Sequence, residues 1–551
     1  MPTFRDMCCV RGFFLKLLFF VTLVAPLGAF ADTSDAPDAL PGWTHTPFAR
    51  DTFQGHGRVV SGKTFSKISP VADDLDNDPL NGLEVVHVGE DGEVYAFMSD
   101  GTLYWQSRTP NARCQRQKKA TDRVRSSPAI ADLDGDGFKE VIVGFGAFNY
   151  KYKRCGGGVV AFNGQTGQRK SVFNLKKHTR KKKLGGLSYT VLSTVGIADV
   201  DGDGKKEIGF GAFNHFVYLL NYQLKPLWYY NAADTVWSSP AFANVDNDSQ
   251  LEMIIGTDIS ENKLLKPPTD DGGYVYALDT QDVGEDDERQ FRNSSSIVWQ
   301  TYLPQTIMSS PVIADVLPEV EGDEVIVQSG CYFPDNEQLK EGRWIKVLNS
   351  KNGKVLATLD TPACASASVA VGDINDDGVN EIVAVVNGSK SVGGTGSSAL
   401  IAFRADQVTP LWSITPRVAG STDSFAGDLQ SPIIADVDGN GSLEVLVASG
   451  AGIGIYEGST GESLTCYDSV CSNGNETTLF TSTTVKATPL VADINNDGIL
   501  DIVTGSSHTD VSGAGVIYIW TNLADVISSF PGSQPAFSAP WPMFKGNPAR
   551  T

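Results

Sequence analysis

Apolar and polar positions alternate along this chain in short runs that recur as one repeated phrase. The phrase consists of a small or polar residue, often Pro, two or three apolar residues, an Asp-rich loop, an acid and a β-branched run, as in residues 127–144 (SPAIADLDGDGFKEVIVG). Short runs bounded by Gly, Asn and Asp are typical of strands and hairpins, and no long helical periodicity competes with them. Copies begin near residues 69, 127, 194, 239, 310, 368, 431 and 488.

Further strand-like segments follow the phrase in each copy. Gly158–Phe162 and Tyr274–Leu278 are examples of the next segment, and turns such as Gln165-Thr166-Gly167 follow several of these. Four antiparallel strands per copy predict an all-β fold, a β-propeller of about eight four-stranded blades. A linear β-solenoid is the alternative, although its repeats are usually shorter and more uniform. The last segment of several copies carries a tryptophan: Trp105, Trp228, Trp299 and Trp412.

The first 31 residues predict a secretory signal peptide, which leaves residues 32–551 as a single propeller domain. Two arginines precede an apolar run from Leu17 to Phe30, and Ala29 and Ala31 supply small residues for cleavage. An uncleaved membrane anchor is the alternative, although Lys16 shortens the apolar stretch. We therefore expect a secreted protein, extracellular or periplasmic, whose mature chain does not span a membrane.

Two aromatic and proline-bearing segments lie outside the full repeats, Pro41–Phe48 near the start and Ala539–Thr551 at the end. One of them is predicted to complete a blade shared by both termini, because closure of the ring removes an exposed sheet edge. The sequence leaves open which terminus supplies which strand.

The acidic loop predicts a metal site, and the second copy shows it best. Asp132, Asp134 and Asp136 occupy loop positions 1, 3 and 5, Gly137 position 6 and Glu140 position 9. Alternate residues of a tight loop point the same way, so their oxygens converge, and hard oxygen ligands in flexible geometry suit Ca²⁺. An EF-hand would place its closing Glu at position 12 between helices, whereas this acid leads directly into a strand.

About six or seven copies are predicted to hold structural Ca²⁺. In the first copy Asp74, Asp76 and Asp78 match, but two extra residues displace Glu84 from the closing position. The fifth copy, residues 315–324, has lost the spacing and is predicted to be metal-free. Metal-free acidic turns are the alternative, but repulsion among their carboxylates would then be uncompensated. The remaining predicted ligands are Asp199, Asp201, Asp203, Glu207, Asn244, Asp246, Asp248, Glu252, Asp373, Asn375, Asp377, Glu381, Asp436, Asp438, Asn440, Glu444, Asp493, Asn495, Asp497 and Asp501.

These copies resemble the FG-GAP and VCBS-type repeats of extracellular calcium-binding propellers, including integrin α-subunit heads, over essentially the whole mature chain. The resemblance implies calcium in the acidic loops of one face and ligand binding on the opposite face. The segments Val159–Gly167 and Gly273–Asp279 also resemble, more loosely, quinoprotein-like propeller repeats. The mature chain lacks the adjacent cysteine pair that some quinoprotein dehydrogenases place by the cofactor.

The chain is strongly acidic, with a formal net charge of −21, which argues against general nucleic-acid binding. Basic residues nevertheless cluster in connections that a propeller would place opposite the acidic loops. They are interpreted as a docking patch for an anionic partner, such as an acidic polysaccharide, with a solvated charged loop or a processing site as alternatives. The candidate ligand-binding residues are Lys176, Lys177, Arg180, Lys181, Lys182 and Lys183.

Six cysteines remain after the predicted signal peptide. An even count in an exported protein favours disulfides over free buried thiols. Propeller topology places the cysteines in neighbouring loops as three pairs, although sequence does not prove connectivity. The predicted pairs are Cys114 with Cys155, Cys331 with Cys364, and Cys466 with Cys471.

The leading functional hypothesis is a binding or adhesion module for an extracellular protein or an anionic glycan. The sequence contains no Gly-x-Ser-x-Gly nucleophile motif and no His-rich metal site. No catalytic residue is therefore predicted. A propeller enzyme, either a polysaccharide lyase or a quinoprotein-like oxidoreductase that uses central-channel residues, remains the alternative because fold does not fix function.

Overall fold

The computed structural model of the chain describes residues 44–45, 56–61, 68–110, 124–146, 156–182, 188–232, 234–246, 248–260, 270–280, 297–333, 342–364, 367–387, 398–407, 409–416, 430–448, 450, 452–465, 479–481, 485–507, 514–520 and 539. All of them belong to one unit, Pro37–Thr551. The predicted signal peptide lies outside the described residues.

Each of the first seven repeats folds into one antiparallel sheet of four strands, a blade, and the last repeat forms the eighth blade together with N-terminal strands, which gives the eight-bladed propeller that the sequence predicts. The strands, in chain order, are β1 (Thr44–His45), β2 (His56–Ser61), β3 (Val71–Asp73), β4 (Glu84–Val88), β5 (Glu93–Phe97), β6 (Leu103–Arg108), β7 (Ala129–Ala131), β8 (Glu140–Phe145), β9 (Gly158–Asn163), β10 (Arg169–Asn174), β11 (Gly196–Ala198), β12 (Glu207–Gly211), β13 (Phe216–Leu220), β14 (Pro226–Asn231), β15 (Ala241–Ala243), β16 (Glu252–Gly256), β17 (Gly273–Leu278), β18 (Ile297–Leu303), β19 (Val312–Ala314), β20 (Glu324–Gln328), β21 (Trp344–Asn349), β22 (Val355–Asp360), β23 (Ala370–Gly372), β24 (Glu381–Val386), β25 (Ala399–Phe403), β26 (Trp412–Ile414), β27 (Ile433–Ala435), β28 (Glu444–Ala448), β29 (Gly452–Glu457), β30 (Leu479–Phe480), β31 (Leu490–Ala492), β32 (Asp501–Ser507) and β33 (Ala514–Trp520).

Burial differs between the strands of a blade for a simple reason. The second strand of blade 2, β8, is buried at every residue because neighbouring blades cover both of its faces. Its sequence is therefore a continuous apolar run. The fourth strand, β10, lies at the outer edge, and of its six residues only Phe173 is buried. The first strands of neighbouring blades contact one another around the centre, for example β3 with β7 and β7 with β11.

The N-terminus closes the ring. Strand β2 pairs with β33 and is the fourth strand of the last blade, whose other strands are β31, β32 and β33. The prediction that either Pro41–Phe48 or the C-terminal tail supplies this strand was wrong, since β2 lies between them in sequence. Within Pro41–Phe48, Thr44 and His45 form β1, which pairs with β2 as a fifth strand. Most of the tail lies outside the described residues.

A ring of Ser and Thr hydroxyls links the repeats where each first strand begins. The backbone N–H of one member donates to the side-chain oxygen of the equivalent residue in the next repeat, at 2.8–3.3 Å. The last repeat is joined to the first by Thr488 N–H, which donates to Ser69 Oγ at 3.0 Å. The other bonds of this Ser/Thr ring run from Ser69 to Ser127, Ser127 to Thr194, Thr194 to Ser239, Ser239 to Ser310, Ser310 to Ser368 and Ser368 to Ser431.

The four predicted tryptophans lie in fourth strands, and three of them, Trp105, Trp299 and Trp412, join their blade to the next. Trp299 of blade 4 donates its indole N–H to the Ser350 carbonyl of blade 5 at 2.6 Å. Trp105 and Trp412 make the same contact with Gly164 and Gly458, at 2.6 and 2.7 Å. Each accepting carbonyl lies directly before a turn of the type noted in the sequence, such as Gln165-Thr166-Gly167. The tryptophan of one blade and the turn of the next therefore form a single contact between blades.

One helix interrupts the all-β pattern. The helix α1 (Leu175–Lys182) directly follows β10 in the connection between blades 2 and 3. The sequence analysis treated this basic segment only as a charged connection, so the helix is an addition to that prediction. Within the described residues, no helix has the length and apolarity needed to cross a membrane.

Candidate functional site

The acidic loops connect the first and second strands of the blades and lie together on one face, which we call the acidic-loop face. Neighbouring loops are hydrogen bonded to each other. Asn77 of blade 1 donates to the Gly137 carbonyl of blade 2 at 2.9 Å, and Lys206 N–H donates to the Leu133 carbonyl at 2.9 Å. The predicted placement of these loops on a single face is thus observed.

The first acid of each regular loop is surrounded by backbone N–H groups. In blade 2, Asp132 Oδ1 accepts from Gly135 N–H at 2.8 Å and Oδ2 accepts from Gly137 N–H at 2.9 Å. Asp199, Asp373, Asp436 and Asp493 accept the equivalent bond from loop position 6 at 2.9–3.0 Å. These bonds fix the loop backbone before any ion is considered.

Two positions of the loop adopt left-handed backbone conformations. Position 6, where the sequence predicts a glycine for the sharp turn, has φ +86° at Gly137 and φ +91° at Gly441. Position 4 is also left-handed, with φ +73° at Gly135 and φ +57° at Asp376. The sequence analysis did not identify this second requirement. The signal was present, because position 4 is Gly, Asn or Asp in every loop except the irregular fifth, and these residue types tolerate this conformation.

The closing acid accepts a hydrogen bond from the backbone at loop position 2. Glu84 takes this place in blade 1 and accepts from Leu75 N–H at 2.7 Å, so the two extra residues do not displace it as expected. Glu324 does the same in the irregular fifth loop, accepting from Val316 N–H at 3.0 Å. The equivalent acceptors in the other loops are Glu140, Glu207, Glu252, Glu381, Glu444 and Asp501.

The second oxygen of several closing acids is what makes these loops suitable for a cation. It is buried without a hydrogen-bond partner in the described structure for Glu84, Glu252, Glu324, Glu444 and Asp501. A buried carboxylate oxygen that lacks a partner is strongly destabilising unless a proton or cation satisfies it. In three of these five loops, those of Glu84, Glu252 and Glu444, two further loop acids each bring an oxygen within 4.8 Å of an oxygen of the closing acid. The donor set therefore fits a hard divalent cation such as Ca²⁺.

The pKa values of the closing acids reflect the same cost of burying a carboxylate. Burial, followed by the charges of the neighbouring loop acids, raises the pKa of Glu444 to about 9 and that of Asp501 to about 8. The pKa values of Glu84, Glu207, Glu252 and Glu381 are raised to about 7 for the same reasons. Without a cation, these groups hold protons more tightly than ordinary carboxyl groups do.

Convergence of the acids differs among blades. Five described groups bring three acidic oxygens within 4.8 Å of one another: Asp74, Asp76 and Glu84; Asp132, Asp134 and Asp136; Asp199, Asp201 and Asp203; Asp246, Asp248 and Glu252; and Asp436, Asp438 and Glu444. Blades 6 and 8 carry Asn375 and Asn495 at position 3, and blade 4 carries Asn244 at position 1. These clusters could bind metal ions.

In two blades a basic side chain of the protein reaches the loop. Lys170 of β10 places its Nζ 2.6 Å from Glu140 Oε1 and 3.2 Å from Asp134 Oδ2. Arg404 lies 2.6 Å from Asp377 in blade 6. A cation at the blade 2 loop would have to compete with Lys170 for the closing acid, which distinguishes this loop from those of blades 4, 7 and 8.

On the opposite face, α1 displays part of the predicted basic patch. Lys177 and Arg180 are exposed, whereas Lys176 is half-buried with its Nζ 5.9 Å from the centre of the Tyr189 ring. Lys181 and Lys182 belong to the helix, and Lys183 lies outside the described residues. The connection between fourth and first strands lies opposite the acidic loops, as the sequence analysis expected.

One predicted disulfide is present. Cys331, after β20, is bonded to Cys364, after β22, with 5.7 Å between their Cα atoms. This bond staples two connections of the face opposite the acidic loops, and it confirms the predicted pairing. The pairs Cys114–Cys155 and Cys466–Cys471 lie outside the described residues.

Comparisons with known proteins agree with this architecture. The family model of the FG-GAP-like repeat matches residues 436–504, from the acidic loop of blade 7 to the second strand of blade 8. No curated protein matches the sequence significantly.

Solved structures show the fold alone at these identities. A quinohemoprotein alcohol dehydrogenase from Pseudomonas putida is 13% identical with a TM-score of 0.51, and the match covers 87% of this chain and 78% of that one. A rhamnogalacturonan lyase from Bacillus licheniformis is 19% identical, with a TM-score of 0.45 and coverage of 88% and 74%. The V. cholerae biofilm matrix protein is 15% identical, with a TM-score of 0.37 and coverage of 88% and 91%.

Proposed function

We propose that this propeller, which contains an FG-GAP-like repeat at residues 436–504, is an extracellular module that binds an anionic polysaccharide through α1. The observation that carries the proposal is the fixed display of Lys177 and Arg180 on a helix whose other side is packed against blade 3. The acidic-loop face supports the scaffold in this proposal, and the opposite face binds the ligand.

The helix is held in place by contacts at its start and along its inner side. Asn174 Oδ1 accepts from Lys177 N–H at 2.9 Å, which caps the first turn, and Leu175 is fully buried. Thr179, 2% exposed, accepts from Asn214 Nδ2 at 3.2 Å. His178 lies among the rings of Phe173, Tyr218 and Tyr229, with centroids 5.1–5.7 Å away. A docked helix loses less conformational freedom on binding than a mobile loop would.

The charge of α1 favours an anionic ligand. Among the described residues, neither Lys177 nor Arg180 forms an ion pair, so no described acid neutralises their charges. The chain as a whole carries −21, and its acidic loops lie on the other face. A polyanion would therefore be attracted to α1 and repelled from most other surfaces. Extracellular acidic polysaccharides have this chemistry, and the predicted secretion would bring the chain to them.

We propose that Ca²⁺ occupies the acidic loops of blades 1–4 and 6–8, held by the predicted loop ligands together with Glu84. When bound, the ions supply positive charge that neutralises the converging carboxylates and satisfies the buried oxygens without partners. The observed fit of the donor set supports Ca²⁺ in particular, since every described side-chain ligand offers oxygen. The fifth loop stays metal-free in this proposal.

The docking function is tested by reversing charge at two places. The Lys177→Glu, Arg180→Glu variant should bind polygalacturonate and hyaluronan oligosaccharides more weakly, and binding to the unaltered protein should weaken as salt is added. The matched control is Lys351→Glu, Lys354→Glu, which makes the same change in net charge at exposed residues between β21 and β22. Calorimetry should give unchanged affinity for the control. Equal affinities for both variants would rule out α1 as the docking site.

A further inference from the structure

A second group of side chains lies beside α1 on the same face, where blades 3 and 4 meet. Thr235, after β14, places its Oγ1 2.8 and 2.9 Å from the two carboxylate oxygens of Asp258, which follows β16. Ser260 N–H donates to Asp234 Oδ2 at 3.1 Å. These bonds hold Asp234 and Asp258 next to each other across the boundary between the blades.

A histidine and a tryptophan complete the group. His215 has φ +76°, a strained conformation for this residue type, and its Nε2 lies buried 3.8 Å from Asp234 Oδ1. Trp237 is half-buried, donates a side-chain hydrogen bond to Asp258, and packs against Phe213 with 4.6 Å between ring centroids. We call His215, Asp234, Thr235, Trp237 and Asp258 the Trp237 cluster. It combines an aromatic surface with several hydrogen-bonding groups, as ligand sites do.

The cluster lies at the rim of the central channel. Ser239, a member of the Ser/Thr ring, lies just before the first strand of blade 4, and Trp237 precedes Ser239 by two residues. The residue before Trp237 and the residue after it are buried, so Trp237 alone is accessible in this segment. Equivalent positions at the described rim carry Leu192 in blade 3 and Met308 in blade 5, both half-buried. Trp237 therefore belongs to an apolar sector of the rim.

The turn between β12 and β13 connects the cluster with α1. Asn214 of this turn bonds to Thr179 of α1, and its neighbours Phe213 and His215 contact Trp237 and Asp234. The turn therefore packs against both α1 and the cluster, which places the two on neighbouring parts of one face. The two surfaces differ in charge, because α1 is basic and the cluster contains two acids.

We propose that the Trp237 cluster is a subsite for an uncharged sugar ring of the polysaccharide whose acidic groups bind α1. This inference rests on the proposed docking function and specifies the ligand as a polymer in which charged and uncharged rings alternate. A sugar ring would lie against Trp237, and its hydroxyl groups would donate to Asp234 and form hydrogen bonds with Asp258, which Thr235 holds in place from the buried side.

The charge of the cluster excludes an acidic ring at this place. Asp234 would repel a uronate or sulfate, whereas a hydroxyl donor forms a charge-assisted hydrogen bond with it. Burial, and then the charge of Asp234, raises the pKa of Asp258 to about 8, so this group holds a proton near neutral pH and can donate. A metal ion fits less well, because the described cluster does not bring three acidic or imidazole ligand atoms together.

Two oligosaccharide probes of equal length test the inference. Hyaluronan octasaccharide alternates a uronic acid with an uncharged N-acetylglucosamine, whereas octagalacturonate is charged on every ring. We expect Trp237→Ala to weaken hyaluronan binding about tenfold, since an aromatic contact and its buried area are lost, and to leave octagalacturonate binding unchanged. Trp237→Phe should retain part of the affinity. Unchanged hyaluronan affinity in Trp237→Ala, or equal losses for both probes, would overturn the subsite.

Fluorescence keeps the test informative if Trp237→Ala fails to fold. The chain has nine tryptophans, and hyaluronan octasaccharide should quench emission in the unaltered protein but less in Trp237→Phe. Identical quenching in the two proteins would contradict the subsite. The Lys177→Glu, Arg180→Glu variant separates the two proposals. If this variant binds neither oligosaccharide, α1 docking is supported, independently of the result for the Trp237 variants. A selective effect of Trp237 with no effect of α1 would instead overturn the docking function.

Discussion

At the scale of single residues, the buried second oxygen of the closing acid is the feature that calls for a cation. Glu444 is fully buried, and its Oε1 has no hydrogen-bond partner in the described structure, whereas Oε2 accepts from Val437 N–H at 2.8 Å. Replacing Glu444 by Gln keeps the size and removes the charge. We predict that Glu444→Gln reduces the rise in Tm that Ca²⁺ produces, because one site loses a charged ligand. Calorimetric melting with Ca²⁺ and with chelator measures this rise.

The matched control for Glu444 is Glu324, which occupies the same place in the irregular loop of blade 5. Its Oε1 is likewise buried without a partner in the described structure, but Leu317 replaces the acid at position 3, and Glu324 follows at position 10 instead of position 9. Glu324→Gln should therefore leave the Ca²⁺-induced rise in Tm unchanged. Equal reductions in the two variants would show that the rise does not depend on the acidic loops.

The raised pKa values also predict how calcium binding depends on pH. Glu84, Glu252 and Glu381 have pKa values of about 7 because of burial, followed by the charges of neighbouring acids. A carboxyl group with a raised pKa binds more protons in the folded than in the unfolded chain. Metal-free stability from these groups is therefore greatest below about pH 4.5 and is lost as the pH rises to about 7.

Calcium reverses this trend, because it binds the ionised carboxylates and releases their protons. We predict that Ca²⁺ raises Tm more at about pH 8 than at about pH 5.5. Melting curves with chelator and with saturating Ca²⁺ at the two pH values give the comparison. Proton release on Ca²⁺ addition, followed by a pH indicator in weak buffer, provides an independent measurement. The same increase in Tm at both pH values would show that these acids do not bind the ion.

The sequence revealed most of the acidic loop at this scale but not its backbone. Alternating acids at positions 1, 3 and 5 are visible as a spacing, and so is the glycine at position 6. The left-handed conformation at position 4 is hard to recognise from the sequence, because three different residue types adopt it, as at Gly135, Asp376 and Asn496. Glu84 was misplaced because counting residues ignores how a longer loop can bulge and still return its acid to Leu75.

At the scale of elements, the contact between a fourth-strand tryptophan and the next blade predicts a specific weak point. Gly353 has φ +68°, and a side-chain carbon added there would lie 2.5 Å from the Trp299 ring. We predict that Gly353→Ala destabilises the protein by about 2–5 kcal/mol, from left-handed strain and overpacking together. Urea unfolding measures the difference.

Gly322 supplies the control for this prediction. It has φ +91°, but a carbon added there would meet nothing within 4 Å. Gly322→Ala should therefore cost only the conformational strain, about 1–2 kcal/mol. If the two variants lose equal stability, the Trp299 contact contributes nothing at Gly353. Both glycines lie outside the proposed calcium loops, so the comparison does not depend on metal.

The helix α1 shows why an element can escape prediction while its neighbours do not. Strands with buried apolar runs are conspicuous, but the inner side of α1 consists of Leu175, His178 and Thr179 rather than an apolar stripe. Its stability depends on rings and a hydroxyl supplied by blade 3, which the local sequence does not contain. The basic composition was visible, and the docked geometry that gives it a fixed position was not.

At the scale of the whole molecule, closure explains how eight similar blades form one ring. Inner closure comes from the Ser/Thr ring, in which Thr488 N–H reaches Ser69, and outer closure comes from β2 pairing with β33. The sequence analysis predicted closure by a terminal segment but did not identify the Ser/Thr ring, although Ser or Thr recurs at the start of each copy. It did not identify β2 (HGRVVS) either, because this segment precedes the first copy and carries no tryptophan that would mark it as a fourth strand.

The pairing of β2 with β33 predicts the effect of shortening the N-terminus. A chain that begins at residue 62 would lack β2, so the last blade would keep three strands and β33 would expose an unpaired edge. Exposed edges pair with other chains, and the lost ladder also removes hydrogen bonds from the last blade. We predict that this chain has a lower Tm and forms oligomers that increase with concentration, measured by light scattering. A chain that begins at residue 41 retains both β1 and β2 and should remain as stable and as dispersed as the full chain. If both shortened chains behave alike, the propeller closes without β2. The hydrogen bond from Thr488 to Ser69 in the Ser/Thr ring would then be sufficient to hold the first and last blades together.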